Sequence, residues 1–187
     1  MGFFNRFFKK VEGVNKGEVG VSELESEFYI ESPVNEAKDY WVEMAQNIIV
    51  NTVKATNNTV DRAFVLIDFG EQPSFDIFYQ VDGSLIMWDQ LEDQDVKQKI
   101  ENELLPQASD VVKAVNDNFI QAEHPTIAFA ELQFEWQTGA WFSHIIWEDD
   151  EDSKLAKDEM LKKWFDTLNV EIKDLPLDSD TKLSWYP

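Results

Sequence analysis

From Glu36 onward the apolar side chains Ala37, Tyr40, Trp41, Met44, Ala45, Ile48, Ile49 and Val53 advance in steps of three and four, which a helix gathers onto one buried face. Ser32 and Pro33 supply its start: a hydroxyl caps a free amide, and proline has no amide to leave unsatisfied in the first turn. Asn57 and Asn58 stop it. The period then changes, and Arg62 to Phe69, Ser74 to Val81 and Ser84 to Trp88 read as three strands. Gly70 to Pro73 joins the first two. Asp82-Gly83 joins the next two as a two-residue turn whose central positions both need positive φ, so the three form an antiparallel meander. Asp89 to Gln121 reads as helix again. Pro106 inside it removes a backbone bond and predicts a kink or two consecutive helices, the second showing Ala108, Val111, Val112, Val115 and Phe119 to the core. After His124-Pro125, Thr126 to Trp136 and Ala140 to Trp147 form a hairpin around Gln137-Thr138-Gly139, with glycine at the left-handed position of the loop. In the first of these strands Ala128, Ala130, Leu132, Phe134 and Trp136 share one face, and Glu131, Gln133 and Glu135 share the other. A last helix, from about Ser153 to Leu168, turns Met160, Leu161, Trp164, Phe165 and Leu168 inward. The run Glu148, Asp149, Asp150, Glu151, Asp152 precedes it, and carboxylates there would lie against the positive end of the helix dipole.

The order helix, three-strand meander, helix, hairpin, helix predicts an α+β fold. Its predominantly antiparallel five-stranded sheet carries the helices on one face, with Trp41, Ile48, Leu66, Phe134, Trp136, Trp164 and Phe165 in the core. Residues 33 to 173 form this single domain. Residues 1 to 32 read as a Phe-rich basic arm and linker, and residues 174 to 187 as a tail in which Trp185 and Tyr186 call for something to pack on.

Charge then narrows the partners. The chain of 187 residues carries 37 Asp and Glu against 16 Lys and Arg, a net charge of -21. In the arm Arg6, Lys9, Lys10 and Lys16 outnumber Glu12 by 3, which leaves -24 for residues 17 to 187. Nucleic acid and anionic membrane repel such a body, whereas a basic protein surface attracts it at long range. With 43% hydrophobic residues, 14 Phe and 7 Trp, the chain has too much apolar material for an acidic disordered tail, and it folds. The absence of Cys excludes disulfides, thiolate catalysis and Cys-bound zinc, and fits a reducing, cytoplasmic setting. Met1 to Lys10 lacks the long apolar run of a secretory signal, and no stretch is long and apolar enough to span a bilayer. A helical arm would line up Phe3, Phe4, Phe7 and Phe8 opposite Arg6, Lys9 and Lys10. That stripe could touch a membrane surface, dock on the acidic body or fray.

Candidate chemistry is thin. Ser143 and His144 are strand neighbours pointing to opposite faces, so they do not make a nucleophile and base, and His124 precedes a proline in a loop. No HExxH zinc spacing occurs. Asp150 and Asp152 begin a D-x-D, but Leu155 stands where a calcium loop needs glycine and Leu161 at its twelfth position. Phosphate loops, nucleophile elbows and dinucleotide fingerprints are absent, so neither a cofactor nor a metal is implied. Carboxylates are so numerous that a pair within reach of each other carries no weight for a hydrolase, which stays as a remote alternative. The more informative constellation is acid mixed with aromatic on the less buried sheet face: Asp68, Asp76, Phe78, Glu131, Gln133, Glu135, Phe142 and His144. Acids steer an encounter and aromatics anchor it, so Asp76, Phe78, Glu131, Glu135, Phe142, His144 and the run Glu148 to Asp152 are the candidate partner-binding residues. The alternative is that acids stand on every exposed face of an acidic protein, with Phe78 and Phe142 covered by arm or tail.

The same element order, with the segments FDIFYQVDGSLIMW (75 to 88) and ELQFEWQTGAWFSHIIWED (131 to 149), resembles the YezG-like family of small acidic bacterial antitoxin and immunity proteins over roughly residues 36 to 168. The resemblance implies an α+β fold without catalysis that neutralises a partner toxin, often a secreted nuclease, by binding it. It assigns no functional residue. The charge points the same way, since a nuclease grips phosphates with a basic surface that an acidic inhibitor can occupy instead. The competing reading is an intracellular acidic adaptor or housekeeping protein.

Overall fold

The computed structural model of the protein describes residues 32 to 172. The expectations about the Phe-rich arm and about Trp185 and Tyr186 lie outside the described residues.

Helix α1 spans Pro33–Ala55, with Ser32 as its cap accepting a hydrogen bond from the Asn35 amide at 3.3 Å. Asn57 and Asn58 end it in the left-handed region, at φ of 52° and 62°, where asparagine is tolerated. The strands follow at β1 Arg62–Asp68, β2 Ser74–Val81 and β3 Ser84–Met87. Asp82 and Gly83 make the expected tight turn with φ of 48° and 77°. Helices α2 Gln94–Lys99 and α3 Ala108–Gln121 come next, then β4 Ile127–Glu135, β5 Trp141–Trp147 and α4 Lys157–Ile172. The five strands form one sheet in the order β3-β2-β1-β4-β5, antiparallel at every pairing. The α+β class and the antiparallel sheet stand as the sequence predicts.

The placement of the helices on one face does not. On the first face Trp41, Ile49 and Val53 of α1, with Val112, Val115 and Phe119 of α3, pack against Val65, Ile67, Ile77, Tyr79 and Leu132. On the second face Met160, Trp164 and Leu168 of α4 pack against Phe64, Leu66, Phe78, Phe129 and Ile146. The sheet is therefore a middle layer between helices. The cause lies in β1, the central strand, whose run Ala63-Phe64-Val65-Leu66-Ile67 is apolar on both faces and fully buried. A strand of that kind has to be covered twice.

The middle helix starts later than Asp89, because Asp93 caps α2 by accepting from the amides of Asp95 (2.9 Å) and Val96 (3.2 Å). Pro106 offers no amide to the carbonyl four residues back, and the turn before it widens: Ile100–Leu104 is π-helical, and Leu105 N–H bonds the Ile100 carbonyl. A 3₁₀ turn, Leu105–Gln107, then leads into α3. Three core expectations need adjusting. Phe134 and Phe165 are half-buried at its margin, while Trp136 lies beyond the last residue of β4 and is 45% exposed, its amide bonding the Asp61 carbonyl at 2.9 Å.

Candidate protein interface

Strand alternation and register bring the predicted sheet-face residues together on the second face. Leu66 pairs with Asp76 and Glu131, Phe64 with Phe78 and Gln133, and Arg62 with Gln80 and Glu135. On the outer strand His144 faces Glu131 and Phe142 faces Gln133. The placement follows from the period of two; what each side chain meets there is set by α4 and by Arg62.

Phe78 is withdrawn from any partner surface. It is fully buried, stacked on Phe64 with ring centroids 5.0 Å apart, and closed over by Trp164 (5.0 Å) and Phe165 (5.3 Å) of α4. As an anchor for a partner it is a correction. The aromatic was needed to seat the helix on the second apolar face. Asp76 is held by the Lys157 ammonium at 3.1 Å, and the same Nζ donates to Ser74 Oγ at 3.1 Å. Glu135 pairs with the guanidinium of Arg62 and accepts from the Thr138 hydroxyl at 2.7 Å. Arg62 itself is 2% exposed and donates also to Gln80 Oε1 at 2.7 Å. A buried guanidinium demands such partners, so Glu135 serves the interior first.

Glu131 is buried and lies 3.1 Å from His144 Nδ1, whose ring is half-exposed. The hydrogen bond to Glu131 raises the His144 pKa above its ordinary 6.5, with the negative charges of Glu131, Asp150 and Asp152 adding to it and partial burial opposing it. Ser143 points to the opposite face, where its Oγ accepts from Trp41 Nε1 at 3.2 Å, so it and His144 are separated by the sheet. Gln133, opposite Phe142 in the register, is buried, and its Oε1 meets no hydrogen-bond partner among the described residues. Phe142 is half-buried.

The acidic run is not the first turn of a helix. Glu148 to Asp150 form a bend and Glu151–Lys154 a 3₁₀ turn, and α4 begins only at Lys157, with Asp158 and Glu159 in its first turn. Local bonds favour this turn over an earlier helix start. Asp150 Oδ2 accepts the Trp147 amide at 2.8 Å, and Ser153 Oγ donates to the carbonyls of Glu148 (2.9 Å) and Asp150 (2.7 Å). Asp152 pairs with Lys163 at 2.7 Å. Glu148, Asp149 and Glu151 stay exposed, and none has an ion pair among the described residues. The run thus divides into two structural acids and three open ones.

Arg62 is the residue that sequence reasoning passed over. The available signal was a cation opening an otherwise apolar run destined for the centre of a sheet. Among the described residues, no cluster of three or more His, Cys, Asp or Glu is placed to hold a metal ion, and no helix is long and apolar enough to cross a membrane. No protein-family model matches the chain, and no curated protein matches it.

Proposed function

We propose that the protein is a non-catalytic binding protein that neutralises a basic protein partner by occupying its surface, in the manner of an immunity protein or antitoxin of the YezG-like kind. The observation that carries this reading is the bend after β5, where Glu148, Asp149 and Glu151 stand exposed with no ion pair among the described residues, within a stretch, residues 17 to 187, whose net charge is -24. Charges so placed remain available to an incoming cation, whereas Glu131, Glu135, Asp76 and Asp152 are already engaged internally. A toxin that grips phosphates with lysine and arginine presents the complementary surface. The acids speed encounter, and desolvated contacts at the centre of the interface hold the complex.

The test begins with the product of an adjacent gene. Co-expression should yield a stable complex and suppress that protein's activity, with an association rate that falls steeply as salt rises. An adjacent product that does not bind, or binds at a rate indifferent to salt, favours the adaptor or housekeeping reading.

A further inference from the structure

We propose that the outer edge of β5 is a strand-addition site, where an extended segment of a protein partner, bearing lysine or arginine, hydrogen-bonds to the outward backbone groups of Ser143 and Ile145. The bonding pattern of the sheet fixes which groups face outward. Glu135 N–H donates to the Ala140 carbonyl and Glu148 N–H to the Thr126 carbonyl. Along an antiparallel strand, residues bonded to a given neighbour alternate with residues whose groups point away from it. Phe142, His144 and Ile146 therefore turn their backbone groups to β4, whereas Trp141, Ser143, Ile145 and Trp147 turn theirs to the edge. Trp147 N–H is taken by Asp150 Oδ2 at 2.8 Å, and Trp141 has a further partner of its own. Among the described residues nothing bonds the outward groups of Ser143 and Ile145.

The opposite edge of the sheet is blunted. β3 has 4 residues against the 7 of β5, its Met87 N–H bonds Gln90 Oε1 at 2.9 Å, and Leu85 and Met87 pack against the α4 layer. Short edges, prolines and lysines keep sheets from pairing, and β5 has none of these. Two features of the β5 edge select its occupant. Ile145 and Trp147 are half-buried at the margin of the first face, so an added strand covers apolar surface there. Asp150, by bonding the outward Trp147 amide, folds the bend back to the end of this edge, where Glu148, Asp149 and Glu151 are exposed with no ion pair among the described residues. A cationic side chain carried past Ile145 meets them. A second copy of the chain would instead bring -21 against -21. The inference rests on the basic-partner reading for the sign of the charge, and the outward amides stand apart from that reading.

Amide exchange of the full chain, read residue by residue by NMR, tests the edge first. In the free protein Ser143 and Ile145 should exchange about tenfold or more faster than Phe142 and His144 at any protein concentration. Protection of Ser143 and Ile145 that ignores concentration means that the chain covers its own edge, protection that grows with concentration means that a second copy does, and either overturns the proposal. The probe is a blocked synthetic peptide of alternating Val and Lys, as long as β5, beside matched peptides with Gln or Glu in place of Lys. Saturation with the Val-Lys peptide should slow exchange at Ser143 and Ile145 about tenfold or more. Its affinity should exceed that of the Val-Gln peptide about tenfold or more, with the Val-Glu peptide weaker still. Ile145→Pro removes an outward N–H and no bond to β4, so it should weaken binding of the Val-Lys peptide about tenfold or more. Binding that leaves both amides unprotected overturns the edge and leaves the basic-partner reading in place, and equal affinity for the three peptides overturns the choice of occupant. If Ile145→Pro does not fold, amide protection in the unaltered protein decides.

Discussion

Trp164 stands edge-on to Phe78, ring centroids 5.0 Å apart at 75°, and makes a similar edge contact with Phe64 at 5.9 Å. These contacts fasten α4 to a sheet face that the sequence leaves looking half open. Trp164→Ala removes the largest ring of that layer and should cost about 3–5 kcal/mol, read as a lowered urea midpoint. Trp136→Ala, at an exposed position past the end of β4, should cost about 1 kcal/mol or less. Comparable losses at the two sites would mean that α4 does not close the second face.

The buried pair of Arg62 and Glu135 predicts an asymmetry. Glu135→Ala strands a guanidinium that is 2% exposed, with Gln80 Oε1 as its one remaining side-chain partner among the described residues, and should destabilise by about 3–5 kcal/mol. Arg62→Met combined with Glu135→Gln removes both charges and keeps most of the volume, so the double variant should be the more stable of the two in chemical denaturation. The reverse order would show that the pair itself, rather than the orphaned charge, carries the stability.

What the sequence made legible is local. Ser32, Pro33 and the three-and-four spacing placed α1, and Asp82-Gly83 fixed a hairpin whose φ values match. Alternation along β4 put Glu131, Gln133 and Glu135 on one face, where the register confirms them. The rest depended on tertiary contacts that no window of sequence contains. A helix with an apolar face packs equally well on either side of a sheet, and only the two-sided burial of β1 reveals that α4 has its own side to cover. Acids favour a helix start, so the Glu148 to Asp152 run reads as one in the sequence. Side-chain bonds from Asp150 and Ser153 instead fold it into a bend and a 3₁₀ turn. Glu135 reads as a surface acid because nothing in β4 discloses the guanidinium across the register on β1.

His144 makes stability depend on pH. Its pKa is raised in the folded protein, first by the hydrogen bond to Glu131, so the folded state binds the proton more tightly than the unfolded chain does. The contribution is fully present below the ordinary histidine value of about 6.5 and fades as pH rises through the folded value. In His144→Gln the contribution is absent. The difference in Tm between the protein and this variant should therefore be largest near pH 5.5 and shrink by pH 8. A difference constant over that range would mean that His144 and Glu131 do not share a proton-linked bond.

The division within the acidic run gives the sharpest test of binding. Glu148→Gln, Asp149→Asn and Glu151→Gln together remove the three open charges and leave intact the Asp150 bond to the Trp147 amide and the Asp152 pair with Lys163. Surface changes of this kind shift stability by about 0.5 kcal/mol or less per site, so the triple variant should melt close to the parent protein. Its association with a basic partner should slow and lose part of its salt dependence while dissociation changes little, because peripheral charges act mainly on the encounter. Asp150→Asn and Asp152→Asn form the contrasting pair: they alter the bend and should lower stability more than the triple variant does. Stopped-flow binding at two salt concentrations with a thermal melt of each variant separates the two effects. A triple variant that associates as fast as the parent at low salt would remove the bend from the binding surface.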